Sequence, residues 1–203
     1  MIEYFRLFSS KLILAFVEHL VLSGVSLLLA IVCSLGLVVI LVNFPRIKES
    51  SVYILSLIYS IPSFALFTLL IPLLGLGKIT AITVLVLYAQ YILVRSFLVS
   101  LDSISEELIE AAFGMGMTEA QIFRQVRLPL AKKGIFSGVR LAATSIVAIA
   151  TIASVVNAGG LGLILFEGLR SMNQYELAWG ILLTVLISLW INSMLFALEK
   201  LCD

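Results

Sequence analysis

From Leu20 to Val42 the chain carries no charged side chain. The same holds from Ser51 to Gly77, from Leu141 to Phe166 and from Leu177 to Leu198, and Ile79 to Leu101 is interrupted only by Arg95. A helix crosses the roughly 30 Å hydrocarbon layer of a bilayer with about 20 apolar residues. Inside that layer every backbone N–H and C=O must be satisfied by the protein itself, a condition that a helix meets within its own segment. The runs therefore predict an all-α integral membrane protein with about five transmembrane helices, at about residues 20–42, 51–77, 79–101, 138–160 and 177–198. The whole chain, 1–203, reads as one transmembrane domain, with a polar segment at 102–133 between the third and fourth spans.

Composition narrows the function classes. Only 12% of residues are charged, against about 25% in a soluble domain. A net charge of +1 gives no reason to expect a nucleic-acid partner. Cys33 and Cys202 are too far apart in sequence to read as a metal or disulfide framework. Cys33 is expected to be a buried helix residue, since Val32 before it spoils a lipoprotein box. The single histidine, His19, builds no metal site alone, so neither metal nor cofactor is expected, and a membrane enzyme finds no His/Cys/carboxylate cluster. "MIEYFRLFSSKLILAFVEHL" mixes acid and base ahead of the first run and is not expected to be a cleaved signal.

Five spans put the termini on opposite sides. With the N-terminus outside, the cytoplasmic segments hold Arg46, Lys48, Arg95, Arg124, Arg127, Lys132, Lys133, Arg140 and Lys200, and the outer ones hold Arg6, Lys11, Lys78 and Arg170. Lys and Arg concentrate on the cytoplasmic side, so nine against four predicts N-terminus out, C-terminus in. An arginine at the bilayer centre costs about 2.5–3.5 kcal/mol on insertion scales. Arg95 lies toward the cytoplasmic end of its span, where its side chain reaches the headgroups. No other charge falls deep in a span, which disfavours a proton-relay pump. A secondary transporter would also need an internal repeat, and none is visible. Pro62, Pro72, Gly75 and Gly77 predict that the second span bends or breaks near its outer end, or carry the proline and glycine common in membrane helices. Tyr53, Tyr59, Phe64, Tyr88 and Tyr91 are either packing and lipid-facing groups or cation–π partners for a solute, and no substrate-contacting residue is assigned.

The polar centre, "LIEAAFGMGMTEAQIFRQVRLPLAKKG" from Leu108 to Gly134, breaks the pattern. Ser103-x-x-Glu106 and Thr118-x-x-Gln121 both have capping-box spacing. They predict two short helices, about Ser105–Gly114 and Glu119–Leu128, with Gly114 and Gly116 in the turn and Pro129 ending the second. Leu108, Ile109, Ala112 and Phe113 share one face of the first, and Ile122, Phe123 and Val126 share one of the second. Such a pair either docks into a partner's groove or lies in the membrane interface. "GLGKIT", Gly75 to Thr80, lacks the spacing of a phosphate loop, so ATP is not expected to bind there.

Glu110-Ala111-Ala112, then Gly116, then Val126-Arg127-Leu128-Pro129 resembles the cytoplasmic signature of permease subunits of ATP-binding-cassette importers, with Val126 in place of the usual isoleucine. "SIPSFALFTLLIPLLGLGKITAI", "GMGMTEAQIFRQVRLPLA" and "NAGGLGLILFEGL" are similar to the osmoprotectant permeases, which carry glycine betaine, carnitine and choline, with the methionine-importer permeases as close cousins. The likeness covers about Leu20 to Leu198. It implies a non-catalytic pore subunit in a bacterial plasma membrane, with a coupling-helix pair between spans three and four. Glu110, Ala111, Ala112, Gly116, Leu128 and Pro129 would then seat against an ATPase subunit, and Gly159, Gly160 and Gly162 would line or gate the pathway. The implied partners are two ATPase subunits, a second permease subunit, identical or paralogous, and an extracytoplasmic substrate-binding protein. With no binding domain fused before Asp203, that protein is expected to be separate.

Overall fold

In the computed structural model, which describes residues 2–201, every regular element is helical. The order is α1 (Ile2–Asn43), α2 (Pro45–Ser60), α3 (Ser63–Leu74), α4 (Lys78–Asp102), α5 (Glu106–Gly114), α6 (Glu119–Ile122), a π-helical turn (Phe123–Arg127), α7 (Leu128–Ala150), a 3₁₀ turn (Ile152–Val156), α8 (Leu161–Arg170) and α9 (Gln174–Leu201). Among the described residues four helical stretches are long and apolar enough to cross a membrane, and α2 with α3 makes up to five if that bent pair counts as one span. Cys202 lies outside the described residues.

Three spans differ from their sequence boundaries, each for a physical reason. The first helix starts near the N-terminus, not at Leu20. It runs 42 residues with a local departure at Phe8, about 60 Å at 1.5 Å per residue. It meets no proline until Pro45, which forces Phe44 out of the helical region (φ −125°, ψ 73°) and opens α2 at its first turn. The second span is not one helix. Pro62 holds Ile61 extended (φ −65°, ψ 131°), and α2 and α3 meet at 96°. Pro72 sits inside α3 without breaking it, and the chain next turns at Gly75 and Gly77, both with positive φ. The fourth helix ends at Ala150, and the uncharged run beyond it becomes the 3₁₀ turn, a loop and α8.

α4 is the axis of the molecule. Val84, Leu85, Leu93 and Val94 are fully buried in a core shared with α1, α2, α3 and α7. Its closest approach is to α7. A Cβ on Gly134 would come within 2.1 Å of Ser100 Oγ, and one on Gly138 within 2.4 Å of Ser96 Cβ. Glycines four residues apart on one helix, facing serines four apart on the other, let two backbones meet where larger side chains would hold them off. α9 lies at the edge and meets α7 and α8. Cys33 sits on the exposed side of α1, contrary to the expectation of burial, because the helix turns Ala30 and Ser34 inward instead.

Charged pairs tie the ends of the bundle. Lys11 on α1 bonds Glu167 on α8 and, at 3.0 Å, Glu176 on α9. Lys48 pairs with Asp102, joining the start of α2 to the end of α4, and Arg140 pairs with Glu199, joining α7 to α9.

Candidate coupling and pathway site

The segment after α4 is organised by its caps. Ser103 does not cap the next helix. It closes α4, with its Oγ donating to the Ser100 carbonyl at 2.9 Å, so the first of the two capping boxes is not formed. Ser105 takes the N-cap position of α5 in extended conformation. Beside it, the Glu107 carboxylate accepts from its own backbone N–H and from the Ser105 hydroxyl, which holds its pKa below the usual carboxylate value. A depressed carboxylate favours the folded turn above its unfolded pKa and gives up that contribution as pH falls through the folded value.

α5 ends in a Schellman closure. Met117 N–H donates to the Ala112 carbonyl at 3.2 Å and Gly116 N–H to the Phe113 carbonyl at 2.9 Å, with Gly116 at φ 81°. Gly114 remains helical, so the reversal rests on Gly116 alone. The second capping box is present: Thr118 N–H donates to Gln121 Oε1 at 2.8 Å, and Gln121 N–H donates back to Thr118 Oγ1.

Pro129 does not end the second helix. α6, the π turn and α7 run as one continuous stretch from Glu119 to Ala150. Proline has no N–H to give and is at home in a helix's first turn. The wider π turn placed just before it shifts the hydrogen-bond ladder, so that α7 begins with Pro129 in that position.

Ala112 and Ile122 are buried, while Ile109 and Phe123 are half-buried. Leu108 and Phe113, expected on the same face as Ala112, stand exposed, as do Met115 and Leu128. Glu110 and Ala111 are exposed, and Glu110 has no ion pair among the described residues. The helix pair thus buries one narrow stripe against its own bundle and leaves an apolar surface with an unpaired carboxylate. A cavity of about 760 Å³ lies between this segment and the end of α1, lined by Val39, Asn43, Phe113 and Arg124 among others.

The second glycine group sits at the other end of α7. Asn157, Gly159 and Gly160 all have positive φ. Gly160 caps α8 and donates its N–H to Glu18 Oε2 at 2.9 Å, and a Cβ on Gly159 would fall 2.3 Å from that same oxygen. His19 is fully buried; its Nε2–H donates to the Val147 carbonyl at 3.1 Å, and a Cβ on Gly160 would come 3.2 Å from its Nδ1. Gly162 is tighter still: a Cβ there would lie 1.7 Å from the Thr151 carbonyl oxygen. The close approach provided by Gly159, Gly160 and Gly162 is therefore to α1 and to the 3₁₀ turn of the same chain. By sequence alone His19 is weighed only as a metal ligand and Glu18 is passed over, because the partners of both, the Val147 carbonyl and the Gly160 N–H, lie far along the chain.

This combination, a bundle of apolar spanning helices with a capped helix pair at one end, is that of a multi-pass membrane protein. The family model of "binding-protein-dependent transport system inner membrane component" matches residues 26–203. The chain belongs to this family, the pore-forming permease subunits of ATP-binding-cassette importers. It is 32% identical to the carnitine transport permease protein OpuCB of Listeria monocytogenes, with 91% of this chain and 83% of that protein covered. It is 35% identical to the osmoprotectant import permease protein OsmW of Salmonella typhimurium, with 90% and 87% covered. Among solved structures, a chain of the MetNI methionine ABC transporter in inward-facing conformations aligns with TM-score 0.85 and 25% identity, covering 97% of this chain and 98% of that one.

Proposed function

We propose that this chain forms half of the pore of an importer for quaternary-amine osmoprotectants such as glycine betaine, carnitine or choline. In this reading a second permease subunit completes the pore, and two ATPase subunits dock at the α5–α6 end and supply all ATP hydrolysis. A separate binding protein delivers solute at the opposite, outer face. The N-terminus is outside the cell membrane and the C-terminus inside. Glu110, Ala111, Ala112, Gly116, Leu128 and Pro129 form the coupling surface, and the turn with Gly159, Gly160 and Gly162 belongs to the outer gate.

The observation that carries the coupling reading is the exposed Glu110, without an ionic partner among the described residues, set beside exposed Leu108, Phe113 and Met115 on a helix pair locked by Gly116 and Thr118. An apolar helix face with one acidic anchor fits a groove on a partner. Losing one member of a desolvated charge pair costs about 2–5 kcal/mol, so Glu110→Lys is expected to lower co-purification with the ATPase at least tenfold and to abolish substrate-stimulated ATP hydrolysis. Normal membrane insertion with wild-type coupling in that variant would leave α5 as an interfacial helix.

A methionine-type importer is the second reading, favoured by the close match in fold to MetNI. The extent of likeness to osmoprotectant permeases supports the first. Uptake by the reconstituted complex, with methionine and glycine betaine in competition, separates them.

A further inference from the structure

A groove of about 590 Å³ runs along the outside of α2, α4 and α7, lined by Tyr59, Tyr91, Arg95, Ser96, Thr144 and Ser145 among others. That volume lies within the range of small-ligand pockets, about 300–1,000 Å³. Its walls are largely apolar, with Ile92, Val99, Leu141 and Ala148, but they carry a polar strip. Arg95 and Thr144 are exposed on helices that cross the membrane, and Ser96 and Ser145 are half-exposed beside them. Polar and charged groups in spans face a protein interior or a water-filled path, because hydrocarbon penalises them.

The aromatic part is held in place by the backbone. The break at Pro62 leaves the Ile61 carbonyl free, and the Tyr88 hydroxyl donates to it. Tyr59 packs edge-on to Tyr88 with centroids 5.6 Å apart and lies 5.0 Å from Tyr91 at 33°. Arg95 sits one helical turn from Tyr91, with its guanidinium 5.7 Å from that ring's centroid and donating to its hydroxyl. Among the described residues Arg95 has no acidic partner. The groove therefore offers tyrosine rings next to an arginine whose counter-charge the described residues do not provide.

Resting on the osmoprotectant reading above, the geometry points to this groove as a transient solute site selective for zwitterions that carry both a quaternary ammonium and a carboxylate. The ammonium is attracted to the tyrosine faces within about 6 Å of a ring centroid. The carboxylate takes the planar, two-pronged donor set of Arg95. A quaternary cation without a carboxylate meets the same rings but is repelled by Arg95, so betaine-type solutes are preferred over choline at this step, whatever the binding protein delivers.

The test uses the purified permease–ATPase complex without binding protein, with glycine betaine and choline as probes in equilibrium dialysis. The wild-type complex is expected to bind glycine betaine at least tenfold more tightly than choline. Arg95→Gln should erase that preference by weakening glycine betaine alone, Arg95→Lys should restore part of it, and Tyr91→Leu should weaken both probes. A variant that misfolds loses both probes together and fails size-exclusion chromatography, so the ratio between probes is the decisive readout. Equal binding of the two by the wild type, no binding of either, or a preference that survives Arg95→Gln overturns the site. Uptake by the complete system is measured in parallel. If it imports glycine betaine while the preference is missing, only this inference falls; if it imports no quaternary amine, the osmoprotectant reading falls with it.

Discussion

Gly116 shows how one residue's backbone decides a surface. Its φ of 81° closes α5 and releases the chain toward Thr118, and a Cβ there would meet nothing within 4 Å. Space is not the constraint; the left-handed conformation is. A β-branched residue in that region costs about 1–3 kcal/mol, whereas asparagine enters it readily. Gly116→Val is therefore expected to loosen the α5–α6 turn and reduce substrate-stimulated ATP hydrolysis, while Gly116→Asn keeps most of it. The comparison is made on the reconstituted complex. Equal activity of the two variants would mean that the turn's geometry is irrelevant to coupling. Gly162 is limited by the opposite cause, since the Thr151 carbonyl already occupies the place where its side chain would go.

At the scale of elements, the sequence was legible wherever one rule acted alone. Charge-free runs marked the chain as a bundle of apolar helices without fixing their ends, and Thr118-x-x-Gln121 is a true helix start. It was less legible where two rules competed. Ser103 and Ser105 both precede acidic residues, and α4 claims Ser103 as its own terminus. Pro129 reads as a stop, yet a proline also opens helices, and the π turn before it makes the second role possible. Long-range pairing was not legible at all. Lys11 and Glu18 look like solvent markers that push the first span toward Leu20, but Glu167, Glu176 and Gly160 satisfy them inside the fold. The tightest helix contact also went unread. Gly134 and Gly138 lie in a stretch whose charges draw attention to coupling, and only the structure sets them against Ser100 and Ser96. Gly138→Leu should force α4 and α7 apart. Overpacking a dense core costs about 1–3 kcal/mol and occasionally more, which should read as a lower melting temperature of the detergent-solubilised protein. Ser96→Gly in the same chain should recover part of the loss; an unchanged melting temperature for Gly138→Leu alone would show that the two helices do not depend on this contact.

The whole molecule is polarised along its helices. One end gathers the start of α1, α8 and the glycine turn, cross-linked by Lys11 with Glu167 and Glu176. The other gathers α5, α6 and the Lys48–Asp102 pair. By sequence, nine of the arginines and lysines are assigned to the cytoplasmic side and four to the outer side, and in the orientation proposed above the second end faces the cytoplasm, where an inward-negative potential and an anionic inner leaflet favour positive charge. Two exposed positions report on this without disturbing a span: Met115 beside the coupling turn, and Ser171 in the loop between α8 and α9. In a background carrying Cys33→Ala and Cys202→Ala, Ser171→Cys is expected to react with a membrane-impermeant thiol reagent in intact cells. Met115→Cys should stay protected until the cells are lysed. The two ends are fixed relative to each other by α1, α4 and α7, so the labelling must be reciprocal. Met115→Cys reacting from outside while Ser171→Cys is shielded would invert the protein and place the α5–α6 surface beyond the reach of any ATPase. Labelling of both from the same side would mean that the bundle crosses the membrane an even number of times between them.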